Sequence, residues 1–205
     1  HTMNFSTHKL LANTMDDNNE QSESTDLNIK VVKNNIYFYE EISVESILYL
    51  SQCIKILEKQ LLSLKTDYQL VETPKMYIYI HSNGGDAFAG LSAMNNIENC
   101  KVPIVCVADG IVASAATFLL LGATGGRQMR KNSCVLIHQI RTEFWGRFDE
   151  LEDEMKNSKN IMRSIKRIYK QKSNLPMEKI DNIIKKEIYL TSKKCLKYGL
   201  ITEII

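Results

Sequence analysis

The sequence predicts an α/β domain in which helices pack on a sheet, and three observations predict it. Short β-branched or aromatic runs alternate with segments whose apolar residues recur every three or four positions. Several of the strand-like runs end in glycine or in a tight polar turn, and a helical pattern starts at once. No segment recurs at a fixed period, which sets repeat architectures aside. Alternation of this kind is the signature of strands covered by helices.

Residues 4–27 carry Asn, Ser, Thr, Gln, Asp and Glu with few apolar positions. Such a stretch cannot bury enough surface to offset its ordering entropy. Residues 1–27 therefore read as a flexible arm headed by a His1-Thr2-Met3 cloning remnant, and residues 28–205 as the folded domain. Ile29-Val31-Val32 and Ile36-Tyr37-Phe38-Tyr39 read as strands. Ser43 stands as an N-cap before a helix whose Ile47, Leu50, Cys53, Ile54, Leu57 and Leu61 share one face. A polar loop is expected over Ser63–Pro74.

Met76–Ile80 is an apolar strand ending in His81-Ser82-Asn83-Gly84-Gly85, followed by a helix carrying Phe88, Leu91, Met94 and Ile97. Val102–Val107 is a second such strand, ending at Asp109-Gly110 before a small-residue helix over Ala113–Leu121. Gly122–Gly126 closes that helix, and Cys134–Gln139 is a further strand. A long helix starts at Asp149 or Glu150, with Leu151, Met155, Ile161, Ile165, Ile168 and Tyr169 on one stripe, and stops at Asn174-Leu175-Pro176. Short elements finish the chain: a helix over 177–186, a strand over 187–190, a helix over 191–198 and a strand over 200–204.

Composition narrows the function. The 205 residues suffice for one domain with a sizeable core, and 44% hydrophobic with 24% charged residues is ordinary for a globular chain. A net charge of +2, with Lys and Arg scattered, gives no basic stripe for nucleic acid. Five cysteines, an odd number without CxxC spacing, argue for a reducing compartment, no disulfide framework and no metal site. No apolar run approaches the ~20 residues that span a bilayer, and Ile111–Gly122 is too short and too rich in small residues. Neither a cofactor nor a membrane partner is expected.

Two strand-to-helix junctions and one strand end could carry chemistry. Gly84-Gly85 is either a tight turn or a place where backbone N–H groups approach a ligand closely. Ser114, among small residues in Gly110-Ile111-Val112-Ala113-Ser114-Ala115-Ala116, is either a nucleophile or a quiet helix residue. His138, closing Val135-Leu136-Ile137-His138, is either a general base or a satisfied core histidine. A nucleophilic serine needs such a base within hydrogen-bond reach and a carboxylate that orients the imidazole.

Taken together, Ser82-Asn83-Gly84-Gly85, the Gly-x-x-Ala-Ser turn ending at Ser114 and Ile137-His138-Gln139 resemble the proteolytic subunit of the ATP-dependent Clp serine proteases. The likeness runs from about Ile36 to Ile204. It implies a ClpP/crotonase-like spiral of β-β-α units with a protruding handle helix at about 150–173. It implies Ser114 as nucleophile, His138 as base, Glu187 at the position of the family's aspartate, and the N–H groups of Gly85 and Ala115 as the oxyanion hole. Gly84, Ile140, Arg141 and Thr142 fall on the substrate-binding segments. The implied partners are further copies in a homo-heptamer, or a catalytic paralogue in a hetero-tetradecamer, together with a Clp ATPase unfoldase and unfolded polypeptides.

The departures from the family pattern cluster at the site. Glu187 replaces Asp, Asn83 replaces Pro, Ala115-Ala116 replace Met-Gly, and His81 replaces a usual Asn. Gln139-Ile140-Arg141-Thr142-Glu143-Phe144-Trp145 replaces Gln-Pro and a Gly-Gly strand, and one residue is missing in the 125–131 loop. Such losses resemble the non-catalytic paralogues of plastid-type and cyanobacterial complexes, which implies a weak or inactive site and a plastid-type organelle, with the cytoplasm as the alternative compartment. The competing expectations are a fully active serine endopeptidase and a crotonase-like acyl-CoA enzyme.

Overall fold

The computed structural model describes residues 27–205 except Thr142 and Phe144. The arm expected up to residue 27 thus lies, Leu27 apart, outside the described residues, as does Thr142. The chain runs β1 (Ile29–Val32), β2 (Asn35–Phe38), α1 (Val44–Asp67), β3 (Met76–Ser82), α2 (Ala87–Glu98), β4 (Ile104–Ala113) and α3 (Ala116–Leu121). It continues β5 (Gly126–Met129), β6 (Cys134–Leu136), α4 (Phe148–Lys172), α5 (Met177–Ile184), β7 (Leu190–Thr191), α6 (Ser192–Lys197) and β8 (Glu203–Ile204). The α/β expectation holds, with one mixed sheet ordered β1-β2-β3-β4-β5-β8 and a branch in which β6 pairs with β4 and β7 with β6.

β1 and β2 form an antiparallel hairpin, and β2, β3, β4, β5 and β8 run parallel. Strand period sets the core. Met76, Ile78 and Ile80 are fully buried, while Tyr77 and Tyr79 stand on the opposite, half-open face. Helix α1 starts where expected: Ser43 Oγ accepts from the Ser46 N–H and Ser46 Oγ from the Ser43 N–H, both at 3.0 Å. This reciprocal cap stabilises the first turn by about 1 kcal/mol. All six residues of the expected apolar face are buried against the sheet, each worth roughly 1.5–3 kcal/mol where a whole aliphatic side chain leaves water. The helix runs on to Asp67, so the loop expected from Ser63 starts one turn later.

The largest difference concerns β4. Gly110 does not end the strand, which continues to Ala113. Its first part pairs with β5 through Val105–Ala108, and its last part pairs with β6 through Ile111–Ala113. Gly110 sits between these two partners at φ +114°, and a Cβ there would strike the imidazole of His81. His81 Nδ1 in turn accepts from the Ile111 N–H at 3.2 Å. The histidine therefore takes up a backbone donor where the β3–β4 register shifts.

Other boundaries shift as well. β5 occupies the loop where the sequence showed only a closing glycine run, and β6 covers three residues rather than six. The small-residue helix starts at Ala116, after the Ser114 turn. Of the last short elements, the strand expected over 187–190 is displaced to 190–191, and the helix and strand that follow are trimmed to 192–197 and 203–204. Of the apolar residues expected on α2, Met94 and Ile97 are buried, Leu91 is half-buried and Phe88 is exposed, and Ala89, Gly90 and Ala93 complete the buried face. On α4 only Ile165 and Tyr169 are buried. All five cysteines are free.

Candidate active site

Strand register brings the candidate residues together. β4 and β6 are parallel neighbours with Ala113 beside Leu136, so the chain leaves both strands at one end of the sheet. Ser114 follows immediately on one strand and His138 two positions on along the other, and the Ser114 N–H donates to the Leu136 carbonyl at 2.9 Å. β7 is antiparallel to β6 with Leu190 beside Val135. Glu187 and His138 both lie just beyond the end of that pair.

The glycine turn docks on the serine turn. Gly84 has φ +100°, and a Cβ there would lie 2.7 Å from both the Ala113 carbonyl and Ser114 Cβ. Only glycine allows both the conformation and the approach. The Gly84 carbonyl accepts from the Ile42 N–H at 2.8 Å and the Ile42 carbonyl from Asp86 N–H at 2.7 Å, which clamps the turn from its other side. Gly85, at φ +147°, lies so close to the Ile42 carbonyl that a side chain would collide with it. Ser114 itself is left-handed at φ +54°. That conformation costs a non-glycine residue roughly 1–3 kcal/mol and is kept only where its surroundings fix it.

One cavity of about 640 Å³ gathers these groups. Ser114, His138, Glu187, Gly85, Ala115, Ile140 and Arg141 all line it, with an apolar wall that includes Phe118, Ile161, Ile165 and Tyr169. Gly84 is buried behind it and borders a shallower hollow with His81 and Glu41. Thr142 lies outside the described residues. His138 Nδ1 faces the Gln139 carbonyl at 2.5 Å. A carbonyl cannot donate, so the proton sits on Nδ1, and a neutral ring then keeps Nε2 free to accept. The Glu187 carboxylate accepts from the Arg141 guanidinium. The Glu187–His138 bond that a serine triad would need is thus replaced on both sides in this arrangement.

Two polar residues that sequence reasoning passed over stand behind the serine. Thr117 Oγ1 donates to the Ser114 carbonyl at 2.6 Å and lies 2.5 Å from the Tyr169 hydroxyl. Burial pushes the Tyr169 phenol up to about 12. Their signal was available: a lone Thr in an apolar helix and a Tyr on a buried stripe each need a partner. Burial also raises the Cys53, Cys100, Cys106 and Cys195 thiols, so none of these four is an activated nucleophile. Among the described residues no cluster of His, Cys, Asp or Glu could hold a metal ion.

Comparison with known proteins gives the chain its family. An ATP-dependent Clp protease proteolytic subunit of Deinococcus radiodurans is 29% identical over 132 residues, covering 64% of this chain and 65% of that protein. Proteolytic subunit 2 of Treponema denticola is 33% identical over 136 residues, covering 66% of this chain and 68% of that protein. These alignments thus span about two thirds of each relative's length. A ClpP1 point mutant from Listeria monocytogenes superposes with a TM-score of 0.70 at 24% identity, over 84% of this chain and 91% of that one, which shows a shared fold. The Clp protease family model matches residues 24–205. The chain belongs to the Clp protease family.

Proposed function

We propose that this chain is a ring-forming subunit of the proteolytic core of a Clp protease whose Ser-His-Glu site works weakly. Family membership makes a serine-type peptidase the chemistry to expect and leaves no support for the acyl-CoA alternative. In this reading Ser114 attacks the peptide carbonyl and His138 accepts its proton at Nε2. The N–H groups of Gly85 and Ala115 stabilise the oxyanion, a contribution of about 3–4 kcal/mol per donor. Unfolded polypeptide is the substrate class, a Clp ATPase the partner, and Gly84 a support of the substrate-side turn.

The observation that carries the weak-site reading is the engagement of Glu187 by Arg141 while His138 Nδ1 faces the Gln139 carbonyl. The carbonyl selects the tautomer that leaves Nε2 free, so proton abstraction is retained. It lacks the negative charge that stabilises the imidazolium once formed. Ile140 and Arg141, in the strand that would align the substrate, add bulk and charge to the groove.

The test is labelling of Ser114 by a fluorophosphonate alongside cleavage of short fluorogenic peptides. Slow labelling abolished by Ser114→Ala, with little peptide cleavage, is the expected outcome. Glu187→Asp is expected to raise both rates by moving the carboxylate out of reach of Arg141. Labelling as fast as that of an active Clp subunit would overturn the weak-site reading.

A further inference from the structure

The left-handed Ser114 turn is held by a chain of hydroxyls that reaches into α4. The Ser114 carbonyl accepts twice from one residue, from the Thr117 N–H at 3.0 Å and from Thr117 Oγ1 at 2.6 Å. The Thr117 hydroxyl has a single proton, and the carbonyl cannot supply one. That proton is therefore committed to Ser114, and the 2.5 Å contact with Tyr169 is one in which the phenol donates. The direction is fixed throughout: Tyr169 O–H to Thr117 Oγ1, Thr117 O–H to the Ser114 carbonyl.

That carbonyl belongs to the same planar peptide unit as the Ala115 N–H, and the two point in opposite directions. Pinning the oxygen toward Thr117 therefore aims the Ala115 N–H away from it, and Ala115 lines the cavity with Ser114. Thr117 and Tyr169 are each 2% exposed, so solvent has little room to substitute for either hydroxyl. Phe118 packs on the Tyr169 ring at a centroid distance of 6.2 Å. A Cβ on Gly90 would lie 2.8 Å from the Ala115 carbonyl, so α2 bears on the same turn.

We infer that Thr117 and Tyr169 are positioning residues, a buried hydroxyl relay that fixes the Ser114–Ala115 peptide so that its N–H is presented to the oxyanion of the substrate. The inference rests on the reading of Ser114 as nucleophile and Ala115 as oxyanion donor. Neither hydroxyl touches the reacting atoms; both act through the orientation of one peptide plane. Deleting an oxyanion donor outright lowers turnover by about 100- to 1000-fold, and tilting one costs part of that.

The experiment compares Thr117→Val, Thr117→Ser and Tyr169→Phe with the unaltered chain. Two readouts are taken at matched oligomeric state: the fluorophosphonate labelling rate of Ser114, with kcat and KM where cleavage is measurable, and amide hydrogen exchange of the peptide over residues 114–121. Thr117→Val removes the donor to the carbonyl, and labelling is expected to fall by about tenfold or more, through kcat with KM held. Thr117→Ser keeps the hydroxyl and is expected to label near the starting rate. Tyr169→Phe leaves Thr117 bonded to Ser114, and a smaller, several-fold loss is expected. Exchange over 114–121 is expected to quicken in Thr117→Val and Tyr169→Phe and to stay slow in Thr117→Ser.

Equal labelling by all three variants would overturn the relay, as would equal loss in Thr117→Ser and Thr117→Val. If the unaltered chain does not label at all, the catalytic half of the proposed function fails. The exchange pattern alone then decides the relay, and unchanged exchange in Thr117→Val would end it.

Discussion

Arg141 holds the carboxylate of Glu187, which lines the same cavity as His138. Both side chains are largely in solvent, at 74% and 61% exposure. Pairs this exposed are weak and are screened by salt. Replacing the cation should free the carboxylate for the imidazole. Arg141→Gln is therefore expected to raise the Ser114 labelling rate several-fold. Raising ionic strength should increase the rate of the unaltered chain and leave that of Arg141→Gln flat, as a salt series of labelling rates will record.

Gly84 is where the two turns of the site meet, and it tolerates no side chain. In Gly84→Ala the added methyl would press on Ser114 Cβ and the Ala113 carbonyl from a left-handed residue. A displacement of the serine turn by ~1 Å is enough to lose about 100-fold in rate. The expected outcome is that loss in labelling, together with a stability decrease of about 1–3 kcal/mol seen by thermal unfolding.

The long helix α4 leaves apolar groups uncovered. Phe148 is 72% and Met155 52% exposed, and Trp145, just ahead of the helix, is 93% exposed. A monomer seldom shows such a run to water, so a ring stacked through this helix is expected to cover it. Light scattering should give a heptamer or a tetradecamer, alone or with a catalytic paralogue. Met155→Glu should shift the population toward smaller species.

Tyr169 makes an alkaline prediction with a definite sign. Its phenol is raised from 10.0 to about 12 in the folded chain by burial. Between those values the unfolded chain has lost the proton and the folded chain keeps it, so stability falls as pH rises. The contribution is fully present below about pH 10 and is lost by about pH 12, an amount of roughly 2–3 kcal/mol. Denaturant unfolding across that range should fall less steeply in Tyr169→Phe than in the unaltered chain. Equal slopes would mean that Tyr169 ionises freely.

Much of the architecture was legible because local signals agreed with the final packing. The Ser43 cap, the six-residue apolar face of α1 and the apolar strand run Met76–Ile80 are each set by nearest neighbours along one element. Gly110 misled because glycine marks chain ends and bulges alike. Only the change of partner from β5 to β6 shows that the strand continues. β5 was silent because Gly126-Arg127-Gln128-Met129 has no periodicity, and its pairing comes from β4 and β8 on either side. At the site, Ser114, His138, Gly85 and Ala115 carried motif signals. The Arg141–Glu187 pair and the Tyr169–Thr117 contact join residues 46 and 52 positions apart. No local pattern encodes such a pairing.

The pairing of β5 with β8 has a consequence for biosynthesis. Gln128 and Glu203 face each other across that ladder at a separation of 75 residues. Until the second strand leaves the ribosome, β5 presents a free row of peptide groups to any other extended chain nearby. At bacterial or eukaryotic elongation rates of about 5–20 residues per second, that interval lasts on the order of 4–15 seconds. A nascent chain of this protein is therefore most open to mispairing between the synthesis of these two strands, when much of the sheet already exists and one edge still waits for its cover.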